Sequence, residues 1–257
     1  MSLKKNLRSL TPTIGSWITI PHPSIVEILS RAGFDWLTVD MEHTATGYES
    51  AQIIISTIQA NNMQALVRVA KNDDVLIKRS MDIGADGVIV PNICSAEDAR
   101  KAVNHVRYPT TGTRGVGLFR AQKYGYGFED YKKWLDNESV IIAQIEHVDA
   151  VKNIEAILAV EEVDGFIIGP YDLSASMGYP GEFERQDVKN KINEVREACI
   201  KAGRALGFHS VPTDEKPLIE KFSQGFTFGA YSLDFYFLGD RAMEGMNKIK
   251  RGLNEKS

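Results

Sequence analysis

The chain has 257 residues, 43% hydrophobic and 25% charged, which allows one large domain with a sizeable core and excludes a disordered or fibrous protein. Its 30 Lys and Arg residues are outnumbered by 34 Asp and Glu, and no basic block could neutralise a run of phosphates, so nucleic acid is not expected as a partner. The two cysteines, Cys94 and Cys199, lack disulfide spacing, which predicts a cytoplasmic protein. Neither the basic N-terminus nor the uncharged stretch 50–67 is apolar enough to predict export or a membrane span.

Eight short β-branched runs recur along the chain, each followed by a segment of helical length. The predicted strands are residues 13–19, 35–40, 64–69, 87–90, 140–146, 164–168, 204–209 and 225–232. Eight β/α units in about 250 residues predict an α/β fold, a closed (β/α)8 barrel. An open doubly wound sheet would need a glycine-rich turn after the first strand, where this sequence reads IPHPS. Helix N-caps are predicted at Ser24, Asn72 and Ser95, and residues 107–127 form a long irregular segment of the kind that often carries function.

Polar residues gather at the ends of these predicted strands, where parallel barrels build their sites. Charged groups that terminate buried strands need a partner or a ligand, because their desolvation is costly. The polar residues at these ends are Asp40, Glu42, His43, Arg68, Gln144, Glu146, Asp172 and His209.

Glu146 and Asp172 come from adjacent predicted strand ends, where two facing carboxylates repel unless a proton or a cation lies between them. A divalent cation held by two protein oxygens, with its other positions open to water and substrate, is the arrangement expected for Mg²⁺ or Mn²⁺. The residues alone leave an alternative open, in which one carboxylate pairs with an arginine such as Arg68 and the other caps the helix that begins near Leu173.

His43 could act as a general base because imidazole titrates near neutral pH, but it could equally be a loop histidine held by Asp40. Arg68 lies in an otherwise apolar strand, so its guanidinium points either at a buried carboxylate or at a substrate oxygen. Asp82, on the next predicted helix, is by default a surface acid. His147 is expected beside the site because it follows Glu146. None of the eight runs carries an interior lysine, so Schiff-base chemistry is not expected.

Five ordered motifs between about residues 15 and 239 give the chain a family resemblance. They are GFDWLTVDMEH, RV followed by NDDVLIKRSMDIGADGVIVP, RYPTTGTRGVG, AQIE and GPYDLSASMG. In this order and spacing the chain resembles the HpcH/HpaI family of class II aldolases. The resemblance implies a TIM barrel of the phosphoenolpyruvate/pyruvate-domain type. It also implies a lyase that uses Mg²⁺, Mn²⁺ or Co²⁺ to cleave 4-hydroxy-2-oxo acids to pyruvate and an aldehyde.

The resemblance also implies binding roles, position by position. Glu146 and Asp172 match the family's metal ligands, and Gln144 matches a glutamine that contacts substrate. The backbone amides of Tyr171 and Asp172 would hold the pyruvate carboxylate near a helix N-terminus. Tyr171 stands where the pyruvate aldolases usually have a small residue, and Asn92 is a further departure, so the aldehyde partner is left open.

Catalytic roles follow from the same resemblance. His43 matches the base that takes the proton from the C4 hydroxyl, Arg68 matches the arginine that stabilises the enolate, and Asp82 matches the acid that raises the basicity of the histidine. A binding protein without turnover would need the metal ligands but not this base, and a lyase for CoA thioesters would call for a CoA-binding extension. The aldolase is therefore favoured over both.

The resemblance implies an assembly as well. Family members are usually hexamers, arranged as trimers of dimers, in which a C-terminal helix packs on a neighbour. The apolar segment SLDFYFLGD and the helix predicted over residues 241–251 are suited to that role. We therefore expect residues 1–257 to form a single barrel domain that assembles into a homo-oligomer.

Overall fold

Eight parallel strands form a closed barrel in the computed structural model, which describes residues 2–254. Neighbouring strands pair in sequence order, and β8 returns to β1 to close the sheet. The predicted (β/α)8 barrel is therefore confirmed. The strands are β1 Thr13–Ile18, β2 Trp36–Asp40, β3 Gln64–Arg68, β4 Gly87–Val90, β5 Val140–Ile145, β6 Gly165–Ile168, β7 Ala205–Ser210 and β8 Phe228–Leu233.

The predicted runs match these strands within one residue at either end, except the last, whose predicted start at Gly225 is three residues early. Gly225 has φ +94° and lies in the turn that precedes β8, so its backbone conformation belongs to a turn and not to a strand. Strands buried on both faces of a parallel barrel are apolar throughout, which explains why the β-branched runs locate them well.

Helices surround the barrel and supply the outer core. They are α1 Leu3–Arg8, α2 Pro23–Leu29, α3 Tyr48–Ala60, α4 Asp74–Asp82, α5 Ala96–Val106, α6 Phe128–Asn137, α7 Val148–Lys152, α8 Ile154–Leu158, α9 Pro170–Ser176, α10 Gln186–Lys201, α11 Lys216–Ser223 and α12 Asp234–Asn254. Ser95 is the N-cap of α5, as predicted. The predicted caps at Ser24 and Asn72 are wrong, because the side chains of His22 and Asp73 accept the free amides of α2 and α4 instead. Within residues 2–254, no helix combines the length and the apolar character needed to span a membrane.

A second apolar cluster fills the barrel interior. Trp36 stacks on Phe228 with ring centroids 4.3 Å apart, and a Cβ on Gly15 would lie 2.1 Å from the Trp36 ring. Glycine at position 15 therefore makes room for the indole. Helix α1 closes the N-terminal end of the barrel with Leu3 and Leu7, which belong to this interior cluster. The resulting barrel is a packed core, and its open end is the one at which the strands finish.

Three aspartates precede strands at the closed end, and we call them the floor acids: Asp35, Asp86 and Asp164. Each accepts the backbone N–H of a residue in the preceding strand at 2.7–2.9 Å. The carboxylate of Asp164 also receives two hydrogen bonds from Arg8, at 2.7 and 2.9 Å. The floor acids therefore join neighbouring strands where their backbone hydrogen bonding begins.

Candidate active site

Asp40 builds the turn that leaves β2 at the open end of the barrel. Its Oδ1 accepts the backbone N–H groups of Glu42 and His43 at 3.0 and 3.3 Å. Asp40 therefore holds the backbone of the His43 loop, as one of the two alternatives for His43 predicted, through hydrogen bonds to main-chain N–H groups. The same turn leaves the His43 side chain 60% exposed at the mouth, where it is free to meet a ligand.

Arg68 ends β3 directly beside Asp40, its register partner in β2. Its Nε and Nη2 donate to the two oxygens of Asp40 at 3.0 and 2.7 Å, and its guanidinium carbon lies 4.3 Å from the Trp17 ring centroid. Burial alone would raise the pKa of Asp40, but the hydrogen bonds and charge of Arg68 lower it. Arg68 thus pairs with Asp40, and not with Glu146 or Asp172, for which the sequence had offered it as one possible partner.

Glu146 follows β5 and is almost fully buried. Its Oε1 accepts the backbone N–H of Asn92 at 2.7 Å, and its Oε2 accepts from the side-chain amide of Gln144. A Cβ on Gly169 would lie 2.8 Å from Oε2, so the glycine that follows β6 leaves room for this carboxylate. Burial raises the pKa of Glu146, and the nearby charge of Asp172 acts in the same direction.

Asp172 lies in the first turn of α9, on the strand end next to that of Glu146. Its side chain caps no backbone N–H of α9, contrary to the alternative considered from the sequence. A buried carboxylate that is destabilised by a second carboxylate fits an oxygen-coordinated divalent cation. In residues 2–254, no group of three or more His, Cys, Asp or Glu side chains is arranged to hold a metal ion, so an ion here would depend on these two acids together with water and substrate oxygens.

Glu42 is a site residue to which the sequence analysis assigned no role. Its Oε2 is buried without a hydrogen-bond partner, 3.3 Å from Nε of Arg68 and 3.6 Å from Nε2 of His43. Burial raises the pKa of Glu42 to about 7, and the charges of Glu146 and Asp172 add to this effect against the opposing charge of Arg68. The DMEH motif contained the residue, but only the turn made by Asp40 shows that it faces inward.

Asp82 lies apart from this centre. It ends α4, and its Oδ1 accepts from Nη2 of Arg114 at 2.5 Å. Arg114 is buried between the rings of Tyr108 and Tyr131, which fixes the segment 107–127 against the barrel wall. Because a helix that follows a barrel strand runs from the mouth back towards the floor, the end of α4 is remote from His43. One chain therefore does not bring Asp82 and His43 together.

A cavity of about 770 Å³ opens beside the centre and is lined by Tyr171, Phe183 and His209, among others. Tyr171 is 48% exposed, and its ring packs 4.9 Å from that of Phe183, so it forms one wall of the cavity. Nε2 of His209 lies 3.0 Å from the carbonyl oxygen of Ser232. Burial lowers the pKa of His209 to about 4, so this imidazole is a neutral group at neutral pH.

The expectation that His147 belongs to the site is not supported. Its Nδ1 accepts the backbone N–H of Asp149 at 3.1 Å, which makes it the N-cap of α7. Its position next to Glu146 in the sequence was misleading because the chain turns into a helix there. Cys199 is a core residue, as expected, and burial raises the pKa of its thiol to about 12.

Acids, an arginine and an exposed histidine at the open end of a closed parallel barrel define a barrel enzyme with its polar centre at the strand ends. The particular family follows from comparison with known proteins. The family model described as HpcH/HpaI aldolase/citrate lyase matches residues 13–237. The chain belongs to this family.

Named relatives cover most of the chain. A 2-dehydro-3,6-dideoxy-6-sulfogluconate aldolase from Pseudomonas putida is 36% identical over 95% of this chain and 95% of its own length. A 4-hydroxy-2-oxo-heptane-1,7-dioate aldolase from Shigella sonnei is 38% identical over 80% and 79%. The crystal structure of an HpcH/HpaI aldolase from Desulfitobacterium hafniense DCB-2 superposes with a TM-score of 0.88 at 32% identity, covering 97% of both chains. The protein is accordingly a carbon–carbon lyase of the aldolase type.

Proposed function

We propose that this protein catalyses the metal-dependent cleavage, and the reverse condensation, of 4-hydroxy-2-oxo acids to pyruvate and an aldehyde. The observation that carries the proposal is the buried Glu146, destabilised by Asp172 at the adjacent strand end, with Arg68 and His43 at the same mouth. The two named relatives support the substrate class, because both names describe a 2-oxo acid that has no hydroxyl at C3. Cleavage between C3 and C4 of such an acid leaves pyruvate.

Glu146 and Asp172 would hold the cation, which we take to be Mg²⁺, Mn²⁺ or Co²⁺. When bound there, a divalent ion supplies a Lewis acid for the oxo and carboxylate oxygens of the 2-oxo acid. The donor set fits such an ion, because both protein ligands are hard oxygen donors. Gln144 donates to Glu146 and so orients one of the two acids, besides its expected contact with substrate.

The remaining groups handle the substrate. Tyr171 and Asp172 occupy the first turn of α9, where backbone N–H groups have no partner within the helix and can bind the substrate carboxylate. Arg68 donates towards the negative charge that develops on the 2-oxo oxygen as the C3–C4 bond breaks. His43 takes the proton from the C4 hydroxyl as the aldehyde forms. The wall formed by Tyr171 restricts the aldehyde-derived part of the substrate.

The predicted role of Asp82 requires a second copy of the chain, because Asp82 is remote from the His43 of its own chain. We propose that the single barrel domain assembles as a hexamer, a trimer of dimers, in which α12 packs on a neighbour. Apolar side chains exposed on α12 support this, including those of Leu238, Met243, Met246 and Ile249. Light scattering should give the mass of an oligomer, and a monomer would refute the assembly. The cytoplasmic location stays a prediction.

The test of the function is pyruvate release from 4-hydroxy-2-oxo acids before and after exhaustive treatment with EDTA. Activity should disappear with the metal and return with Mg²⁺, Mn²⁺ or Co²⁺. Activity that survives chelation would refute the metal dependence. The variant His43→Ala should still bind Mn²⁺ and pyruvate but lose cleavage. Unchanged turnover would remove His43 from the reaction.

A further inference from the structure

His209 is a polar residue of the open end to which the proposed reaction assigns no role. It is the penultimate residue of β7, and its imidazole stacks on the indole of Trp17 with ring centroids 5.2 Å apart. The guanidinium carbon of Arg68 lies 4.3 Å from the centroid of the same indole. His209 and Arg68 therefore pack against one shared side chain, which places the imidazole close to the arginine that faces the 2-oxo oxygen in the proposed reaction.

A main-chain carbonyl fixes the position of the hydrogen on this imidazole. Nε2 of His209 lies 3.0 Å from the carbonyl oxygen of Ser232. A carbonyl oxygen can only accept, so Nε2 carries the hydrogen and donates it. The ring is neutral, because burial lowers the pKa of His209 to about 4. Nδ1 of a neutral imidazole with its hydrogen on Nε2 has a free lone pair, which makes it a hydrogen-bond acceptor.

This acceptor has no partner in the described part of the chain. No group of residues 2–254 donates to Nδ1 of His209, and Nδ1 is not among the buried polar atoms that lack a partner, so it is open to solvent. His209 lines the cavity of about 770 Å³, together with Tyr171 in the first turn of α9. That turn is the one at which we propose that the substrate carboxylate binds. The cavity therefore presents an unused acceptor beside the bound 2-oxo acid.

Other polar groups that line the same cavity are engaged or covered. Lys189 pairs with Glu184 at 2.7 Å, and Asp240 accepts from the hydroxyl of Thr213 at 2.6 Å. The hydroxyl oxygen of Ser210 lacks a partner, but the fold covers it completely. Ser210 is thus a neighbour of His209 in β7 whose side chain cannot reach a ligand.

We propose that His209 determines substrate specificity by accepting, at Nδ1, a hydrogen bond from a hydroxyl group on the aldehyde-derived part of the substrate. A hydroxyl can donate to this nitrogen, whereas a methyl group in its place leaves a desolvated acceptor unpaired. The substrate class is therefore that of hydroxyaldehydes, in preference to their deoxy analogues. The inference rests on the proposed aldol reaction and names the kind of aldehyde that the reaction takes.

The test measures the condensation of pyruvate with matched pairs of aldehydes in the presence of Mn²⁺. Glycolaldehyde and propanal form one pair, and 3-hydroxypropanal and butanal form the other. Within each pair the two molecules have the same number of heavy atoms and differ by a hydroxyl in place of a methyl group. In at least one pair, wild-type kcat/KM should be about tenfold higher for the hydroxyaldehyde.

The variant His209→Phe keeps a ring that can stack on Trp17 but removes Nδ1. The ratio of kcat/KM within the preferred pair should fall by about tenfold. The ratio is the readout because a general loss of activity cancels in it. The matched control is Ser210→Ala, which changes the next residue of the same strand and should leave the ratio unchanged.

Nitrogen NMR of metal-free protein labelled at its five histidines reads the acceptor without turnover. The His209 signals are assigned by their absence in His209→Phe. At pH 7 the hydrogen should be on Nε2, with Nδ1 unprotonated. A hydrogen on Nδ1, or an imidazolium, would overturn the inference.

Equal kcat/KM values within both pairs for the wild type, or a preference that survives in His209→Phe, would also overturn it. An equal loss of the preference in Ser210→Ala would do the same, because the shape of the cavity and not Nδ1 would then select the aldehyde. If the wild type condensed pyruvate with none of the four aldehydes in Mg²⁺, Mn²⁺ or Co²⁺, the proposed function would fail. The nitrogen spectrum would then still decide whether His209 presents a free acceptor.

Discussion

The two ends of the barrel use acidic residues in opposite ways. At the closed end, each floor acid accepts a backbone N–H of the neighbouring strand at 2.7–2.9 Å. At the open end, Glu42 keeps a buried oxygen without a donor, and the nearby charges of Glu146 and Asp172 add to the effect of burial in raising its pKa. The difference lies in whether every carboxylate oxygen finds a donor in its own chain, which holds for the strand-bound oxygens of the floor acids and fails for Oε2 of Glu42. The unpartnered oxygen of Glu42 therefore marks the end of the barrel that is available to a ligand.

The largest effect should come from removing the charge of Glu146. The variant Glu146→Gln keeps an oxygen that can accept from Asn92 but can no longer hold a divalent cation, so pyruvate release should fall by at least about 100- to 1000-fold. The free energy of unfolding of the metal-free protein should change little, because removal of a charge disfavoured by burial offsets the loss of the acceptor for the Gln144 amide. Activity assays and urea unfolding of the same preparation test both parts. A marked loss of stability together with retained activity would mean that Glu146 behaves like a floor acid.

Asp164 should give the opposite result at the closed end. Its side chain is fully buried against Arg8, Lys4 and the N–H of Ile141. The variant Asp164→Asn breaks the ion pair and should lower the free energy of unfolding by about 3 kcal/mol. Because the site is at the other end of the barrel, kcat of the folded protein at 25 °C should not change. A comparable loss in kcat without a loss of stability would contradict the division between the two ends.

The sequence predicted the barrel well because its physical signals are local. A strand that is buried on both faces has a run of β-branched residues in the sequence. Several of these runs end at polar residues such as Asp40 and Glu146. Contacts between residues that lie far apart in the sequence could not be predicted in this way. The pairing of Arg68 with Asp40 depends on the register between β2 and β3, and the pairing of Asp82 with Arg114 depends on how a long irregular segment folds back. Neither pairing leaves a periodic pattern in the sequence.

The roles of the histidines were also hard to predict from the sequence, although their contacts lie close along the chain. His22 and His147 lie in the loops that follow β1 and β5, where a functional role is plausible, yet each caps the helix that begins one residue later. His209 ends the seventh predicted run and does face the mouth, but burial leaves it neutral. Helix capping by a histidine and burial of a polar group are both consequences of the tertiary path, which propensities at single positions do not encode.

The smallest of these effects concerns Glu42 and the pH dependence of stability. The pKa of Glu42 is about 7 in the folded protein, above the ordinary value of 4.5 for a glutamate in an unfolded chain. Between these values the folded protein holds a proton that the unfolded chain has released, so the metal-free protein should lose stability as pH rises from 4.5 to 7. With partial solvent screening, the contribution should be about 2 kcal/mol.

Glu42→Gln cannot ionise, so its free energy of unfolding should lack this part of the pH dependence, whereas Asp164→Asn should retain it. Urea unfolding of the three metal-free proteins at pH 4.5, 5.5 and 7 measures the difference. Parallel stability curves for the wild type and Glu42→Gln would show that the Glu42 carboxylate is solvated, and would contradict its assignment as an unsatisfied acid of the open end. If only Glu42→Gln loses the pH dependence, the loss of stability between pH 4.5 and 7 comes from the ionisation of the buried Glu42 carboxylate.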